Sequence, residues 1–517
     1  MTFHIRLALL ALLVGTTQVA QAATVEQCKA LASADFGQLQ DAPTRITSAV
    51  PIDAKADVPA HCKVEGYVAP QIGIELRLPL TSWNGKVLTQ GCGAMCGEML
   101  GSSGCVEAAS RGYACVTTDM GHKGLPYDGK WAYNNPQAEI DFGHRATHVA
   151  TLAAKAISSA IYSASPKYSY FRGCSTGGRQ ALVAAQRYPY DFDGIIGGAP
   201  VLYQSMGPPL QLFWGTSVNF DKAGNPILDA KKLPLIAKAA MSACDANDGV
   251  KDGVIDRPLQ CNFDPAKLKC SGSNGDDCLT QAEVAVVQKT YAGPTTSKGV
   301  RLMPSGQLPG SELSWAGYIE NGKAAPNYGF GSEVLRYLAF DIDPGPSFDV
   351  TKFDWDRDPQ RMSLSTMSAG NPDLTLFKQA GGKLILFHGM ADPAIFYTTT
   401  TEYYDLATQT MGGPKSMSEF ARLYAMPGMY HCRSGTGTNY ADMLGALDAW
   451  VEGGKAPEAI TGYHIEQETK GPADPPVAFD PASATFSRPI YPYPDFAAYD
   501  GSGDWKDAKN FKRVKGK

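Results

Sequence analysis

Residues 173–177 read Gly-Cys-Ser-Thr-Gly, and far downstream His431 is followed directly by Cys432. A serine hydroxyl is a weak nucleophile and needs an adjacent base, itself oriented by a carboxylate. Gly-x-Ser-x-Gly is the frame of a sharp strand-to-helix turn that lifts such a hydroxyl into the open. Ser175 is the only serine in the chain with that frame. Cys174 sits beside the serine and Cys432 beside the histidine, so one disulfide between them would hold a nucleophile next to its base. The chemistry expected is hydrolytic acyl transfer.

The turn motif implies the chain order serine, acid, histidine. Three histidines follow Ser175: His388, His431 and His464. His464 lies in a strand-like run and reads as a sheet residue. His388 ends a buried strand and is expected to pack or hydrogen-bond near the site. His431 lies in a Pro-Gly-Met-Tyr-His-Cys loop, where bases are usually placed. Asp392, a few residues past the apolar run ending at Phe387, fits the acid better than Asp405, which falls on an expected helix. Thr176, directly after the nucleophile, supplies one oxyanion N–H, and the Gly91-Cys92-Gly93-Ala94 loop the other, with Gly93 the best candidate. A rival reading makes Cys174 the nucleophile, which requires it to be a free, low-pKa thiol.

Around these residues, strand-like runs at 84–92, 112–119, 168–173, 192–198 and 383–387 alternate with helical patterns at 145–162, 176–187, 402–411 and 439–452. Residues 418–426 are read as including another strand before the His431 loop. The alternation predicts a parallel sheet with helices on both faces. From residue 202 to 373 it breaks into a loop-rich block, read as a lid inserted into the sheet. The basic, polar C-terminal tail is expected to be a surface segment.

The chain has 517 residues, 44% hydrophobic and 19% charged, with a net charge of −5. That is ample for a large core and leaves no basic footprint for nucleic acid or an anionic membrane. A basic start, a short apolar run and Ala20-Gln21-Ala22 predict a secretory signal peptide over residues 1–22. The twelve cysteines fit a secreted or periplasmic address, and none forms a C-x-x-C pair that would suggest a zinc ribbon.

Asp245-Ala-Asn-Asp248-Gly-Val-Lys-Asp252-Gly-Val-Ile-Asp256 gathers carboxylates and turn glycines in a short loop. That donor set suits a hard cation, calcium before magnesium, without EF-hand spacing. Cys244 and Cys261 flank it. The ion would be structural and would order the lid.

Tyr170-Phe-Arg-Gly-Cys-Ser-Thr-Gly-Gly-Arg-Gln180, His388-Gly-Met-Ala-Asp392-Pro and Gly428-Met-Tyr-His-Cys432 resemble the motifs of the tannase/feruloyl esterase family, and the resemblance covers most of the mature chain. It implies an α/β-hydrolase fold with a large inserted lid domain: catalytic segments 23–201 and 374–517, and a lid over 202–373 that carries calcium. The triad implied is Ser175, Asp392 and His431. The implied calcium ligands are the side chains of Asp245, Asp248 and Asp252 and the carbonyls of Val250 and Val254. The implied disulfides are Cys174–Cys432, Cys28–Cys62, Cys244–Cys261 and Cys270–Cys278. Of the remaining Cys92, Cys96, Cys105 and Cys115, the one pair expected is Cys96–Cys105. Family members act on galloyl, hydroxycinnamoyl or terephthalate monoesters, so the expected partner is a small aromatic ester. Two other functions use the same residues: an acyltransferase with this triad, and an inactive calcium-binding protein on a hydrolase scaffold.

Overall fold

The computed structural model describes residues 22–55, 58–272, 275–319, 325–364, 366–466 and 479–516. The expected signal peptide lies outside the described residues except for Ala22. Nine strands form the main sheet: β1 (Thr44–Ile52), β2 (His61–Val68), β3 (Ile72–Pro79), β4 (Lys86–Gln90), β5 (Ala114–Thr118), β6 (Tyr168–Cys174), β7 (Gly194–Gly198), β8 (Lys383–Gly389) and β9 (Ala421–Met426). Their spatial order is β1-β2-β3-β5-β4-β6-β7-β8-β9. Pairings from β5 through to β9 are parallel. Those from β1 to β5 are antiparallel. The sheet is therefore mixed, which corrects the all-parallel expectation. The three antiparallel strands precede residue 84, where the expected alternation began.

The central strands are buried on both faces, as parallel strands covered by helices must be. Neighbouring residues fall into different clusters. Ile195, Leu384 and Leu386 pack with Ala181 and Leu182 of helix Thr176–Arg187. Ile196 and Ile385 pack with Leu447 and Trp450 of helix Met443–Gly453. Strand side chains alternate in direction, so one apolar run serves two layers.

Among the described residues, 202–373 add no strand to the main sheet. Leu212, Phe213, Ile236 and Val334 from this insertion join the cluster that contains Val87, Val116 and helix Ala146–Tyr162. The insertion is a lid that shares its core with the sheet. Among the described residues, five further short strands follow: β10 (Tyr440–Ala441), β11 (Ile460–His464), β12 (Phe486–Ile490), β13 (Phe496–Tyr499) and β14 (Phe511–Val514). The C-terminal tail is thus not merely a surface segment. Phe511 is buried and β14 pairs with β13.

Candidate active site

Everything chemical collects at the C-terminal ends of the parallel strands, where open α/β sheets place their ligands. Ser175 follows β6, the Gly91–Ala94 loop follows β4, Asp392 follows β8 and His431 follows β9. Ser175 holds φ 64° and ψ −122°, a strained backbone for a residue with a Cβ. Its N–H donates to Gly198 O at 3.0 Å and its carbonyl accepts from Arg179 N–H at 3.0 Å, so the neighbouring strand β7 and the helix after it both hold the turn. The flanking glycines are required by close approach. A Cβ on Gly173 would lie 2.7 Å from the Gly177 backbone, and one on Gly177 would lie 3.0 Å from Cys92 O.

Thr176 is the first residue of the helix, so no helical carbonyl reaches its N–H. Its hydroxyl donates to Ala94 O at 2.6 Å, tying the turn to the glycine loop. Gly93 lies in that loop with open space where a Cβ would be. The loop is braced from three sides. Cys92 bonds Cys96. Gln180 accepts from Cys92 N–H at 3.4 Å and its Nε2 lies 3.1 Å from Cys92 Sγ. His122 Nε2 meets Met95 O at 2.7 Å. Ala94 and Cys96 both adopt positive φ. Burial pushes the His122 imidazole down to about 4, against the hydrogen bond to Met95, so it stays neutral and fixed.

Asp392 and His388 have fully buried side chains, while His431 is partly exposed. Asp392 Oδ1 accepts from the N–H groups of Ala394 at 2.8 Å and Ile395 at 2.9 Å. Its Oδ2 faces His431 Nδ1 at 2.7 Å and His388 Nε2 at 3.2 Å. Burial opposes its ionisation, but the electrostatic pull of the His431 ring and the hydrogen bonds from His388 and His431 outweigh burial. The carboxyl is held well below the usual carboxylate range. The carboxylate fixes the proton of His431 on Nδ1 and leaves Nε2 as the basic nitrogen. His388 Nε2 also faces Ile395 O at 3.0 Å, and its Nδ1 lies 2.8 Å from Thr400 Oγ1. Two acceptors at Nε2 place the proton there, so Nδ1 accepts from the Thr400 hydroxyl. The lid grips this same turn: Gln211 Oε1 accepts from Phe396 N–H at 2.9 Å, and Gln307 Nε2 donates to Pro393 O at 2.6 Å.

Cys174 and Cys432 are bonded, with Cα atoms 6.1 Å apart. Ser175 and His431 each stand one residue from that bond. Cys174 is therefore no free thiol, which removes it as a nucleophile. His464 and Asp405 lie elsewhere. His464, the last residue of β11, meets Gly437 O at 2.6 Å through Nδ1, and Asp405 accepts from Tyr493 OH at 3.2 Å.

A family profile described as Tannase and feruloyl esterase matches residues 56–514. The chain belongs to that family. It is similar to mono(2-hydroxyethyl) terephthalate hydrolase of Piscinibacter sakaiensis, 33% identical over 88% of this chain and 85% of that protein. Among solved structures, an esterase from Aspergillus oryzae superposes with a TM-score of 0.83 at 26% identity, over 95% of this chain and all of that one. Feruloyl esterase B from the same organism follows at 0.80 and 25%, with the same coverage. These findings make the chain an ester hydrolase of the family and its fold an α/β-hydrolase with a lid.

The described residues contain six disulfides and no free cysteine. Cys28–Cys62, Cys244–Cys261 and Cys270–Cys278 are among them. The expected Cys96–Cys105 bond is not. Cys96 turns back within its own loop to Cys92, at positive φ. Cys105 lies on helix Ser102–Ser110, which packs on β5, and bonds Cys115 of that strand.

In the acidic loop, the carboxylates brought within 4.8 Å of one another are Asp248, Asp252 and Asp256. Asp256 was not in the expected ligand set. Asp245 Oδ1 accepts from the N–H groups of Asp252 and Gly253, both at 3.1 Å. Val250 and Val254 N–H donate to Asp248 and Asp252, and Asp252 pairs with Arg488 of β12. Oδ2 of Asp248 and Oδ2 of Asp256 are buried without a hydrogen-bond partner. Burial, then repulsion from Asp248 and Asp252, pushes Asp256 well up, and burial raises Asp248 to about 6. Clustered acids with orphaned oxygens fit a divalent cation.

Proposed function

We propose that this protein is an exported serine esterase that cleaves esters of aromatic acids through an acyl-enzyme. The observation that carries the mechanism is the 2.7 Å contact between His431 Nδ1 and Asp392, made in a loop bonded to the residue beside Ser175. Ser175 Oγ attacks the ester carbonyl as His431 Nε2 takes its proton. The N–H groups of Thr176 and Gly93 hold the tetrahedral oxyanion. Collapse expels the alcohol, which leaves with the proton from His431. Water, deprotonated by His431, then attacks the acyl-enzyme. The acid departs and the proton returns to Ser175. The names of the relatives, a terephthalate monoester hydrolase and a feruloyl esterase, support an aromatic acyl group. Initial rates on galloyl, feruloyl and terephthalate monoesters rank the choices. Six disulfides support export, since an oxidising compartment preserves them.

A fluorophosphonate probe should modify Ser175 alone, read as a single mass-shifted peptide. An active preparation with no adduct on Ser175 would sink the mechanism.

His388 is a positioning residue in this scheme, since it touches Asp392 and not the substrate. His388→Phe removes the donor to Asp392 and frees the Thr400 hydroxyl. Turnover should fall by about 10²-fold through misplacement of the acid, with KM changed by less than about threefold. His388→Gln, which can again present an N–H, should recover part of the loss. Equal kcat in His388→Phe and the parent protein would leave His388 a packing residue.

Calcium is the cation proposed for the acidic loop. Asp248, Asp252 and Asp256 would hold it by carboxylates, with Asp245 and the carbonyls of Val250 and Val254 completing the set the family pattern implies. The ion would cancel the repulsion among these acids and so order the lid. At calcium about 100-fold above its Kd, binding adds about 3 kcal/mol of stability. Dialysis against a chelator should therefore lower the thermal midpoint by several degrees, and calcium should restore it better than magnesium. An unchanged midpoint would refute the assignment.

A further inference from the structure

A cavity of about 550 Å³ lies between the acidic loop, the C-terminal strands and the far side of the catalytic loops. Ser175, Asp392 and His431 do not line it, whereas Met390 of the acid turn and Pro427 of the base loop do. The proposed reaction makes no use of it. Its surface is largely apolar and aromatic, with Phe486, Tyr491, Tyr493 and Phe496 in the wall.

The charged groups in that wall are nearly all accounted for. Arg488 pairs with Asp252, and its Nη1 donates to the Trp505 carbonyl at 2.6 Å. Asp495 is held by Arg513 at 2.6 Å and Lys515 at 3.0 Å. Asp256 belongs to the carboxylate cluster. Arg257 is the exception. Its guanidinium stacks 3.6 Å from the centre of the Phe496 ring. Its Nε is buried without a hydrogen-bond partner. Among the described residues it forms no ion pair.

A guanidinium presents a planar fork of donors that matches a carboxylate. Stacking on Phe496 already fixes its plane, so little freedom remains to be lost on binding. A few convergent polar groups in an otherwise apolar pocket are the mark of a small-ligand site. We infer that this cavity binds an aromatic carboxylate, with the carboxylate on Arg257 and the ring against the aromatic wall. The acid released in the proposed reaction is a ligand of that class. The binding itself holds whatever Ser175 does.

The test is calorimetric titration of the full-length protein with benzoate and with benzamide, its neutral counterpart. Benzoate should bind with a Kd of about 1 mM, and benzamide about tenfold more weakly. Arg257→Gln should weaken benzoate by about tenfold or more, and Arg257→Lys by only about threefold. All three proteins keep Ser175, Asp392 and His431, so benzoate bound at the catalytic serine is common to them and drops out. If Arg257→Gln fails to fold, the benzoate–benzamide difference in the parent and the Arg257→Lys affinity still decide the matter. Equal affinity for the two ligands, or undiminished benzoate binding in a folded Arg257→Gln protein, would overturn the assignment. Loss of ester hydrolysis in Ser175→Ala with benzoate binding intact separates the fate of this site from that of the mechanism.

Discussion

Ser175→Ala should lower kcat/KM on an aromatic ester by about 10³-fold or more while the protein stays folded. The substitution removes one oxygen and leaves the turn intact. Alanine at φ 64° is strained much as serine is, and the backbone bonds to Gly198 and from Arg179 do not involve the hydroxyl. Thermal stability should therefore barely move. The Thr176 N–H and the glycine loop stay in place, so residual rate above the uncatalysed reaction is expected from oxyanion stabilisation. Near-parental activity in Ser175→Ala would rule out the acyl-enzyme scheme, whatever the family. Steady-state kinetics with a melting curve on the same sample is the measurement.

The second large effect belongs to the staple. Replacing both Cys174 and Cys432 by alanine should cut turnover by about 10²-fold even where the fold survives. The sheet order explains why. Asp392 and His431 leave adjacent strands, β8 and β9. Their loops are knitted by Met390 N–H to Met426 O at 2.9 Å and Ala391 N–H to Met429 O at 3.1 Å. Ser175 leaves β6, three strands from β9. At about 4.8 Å per strand the base loop must reach back roughly 14 Å to meet the serine, and the disulfide holds it there. Without it, the Asp392–His431 pair should persist while the approach of His431 to Ser175 loosens. The loss should thus fall on kcat. The bond also closes a segment of 258 residues, worth about 5 kcal/mol by chain entropy, so the thermal midpoint should fall as well. A folded double variant with unchanged kcat would reduce the bond to a stabiliser.

How far the site was legible depended on whether its signal was local. Gly173 and Gly177 are needed because the turn brings β6, its helix and the Cys92 loop into contact. That demand is written into five consecutive residues. The strand at Lys383–Gly389 and the helix after Ser175 were likewise readable from apolar runs and turn residues nearby. Strand β3 carried a signal of the same kind, since Ile72, Ile74, Leu76 and Leu78 alternate. The antiparallel edge it belongs to nevertheless became visible only in the fold.

By itself the sequence determined the strand-to-helix turn at Ser175, the order serine, Asp392, His431, the placing of cysteines beside the first and last, and the acidic loop. Each is a short-range pattern whose meaning follows from backbone geometry or side-chain chemistry within a few residues. The tertiary structure decided what depends on distance through space. It paired Cys92 with Cys96 and Cys105 with Cys115, because a disulfide forms only between cysteines whose Cα atoms lie within about 7 Å and whose Cβ atoms face each other. It brought Asp256 into the carboxylate cluster and turned Asp245 onto loop amides. It buried His388 against Asp392 and left Arg257 alone in an aromatic wall. Partners of this kind are chosen by burial and by which elements happen to be neighbours, and no spacing along the chain records either.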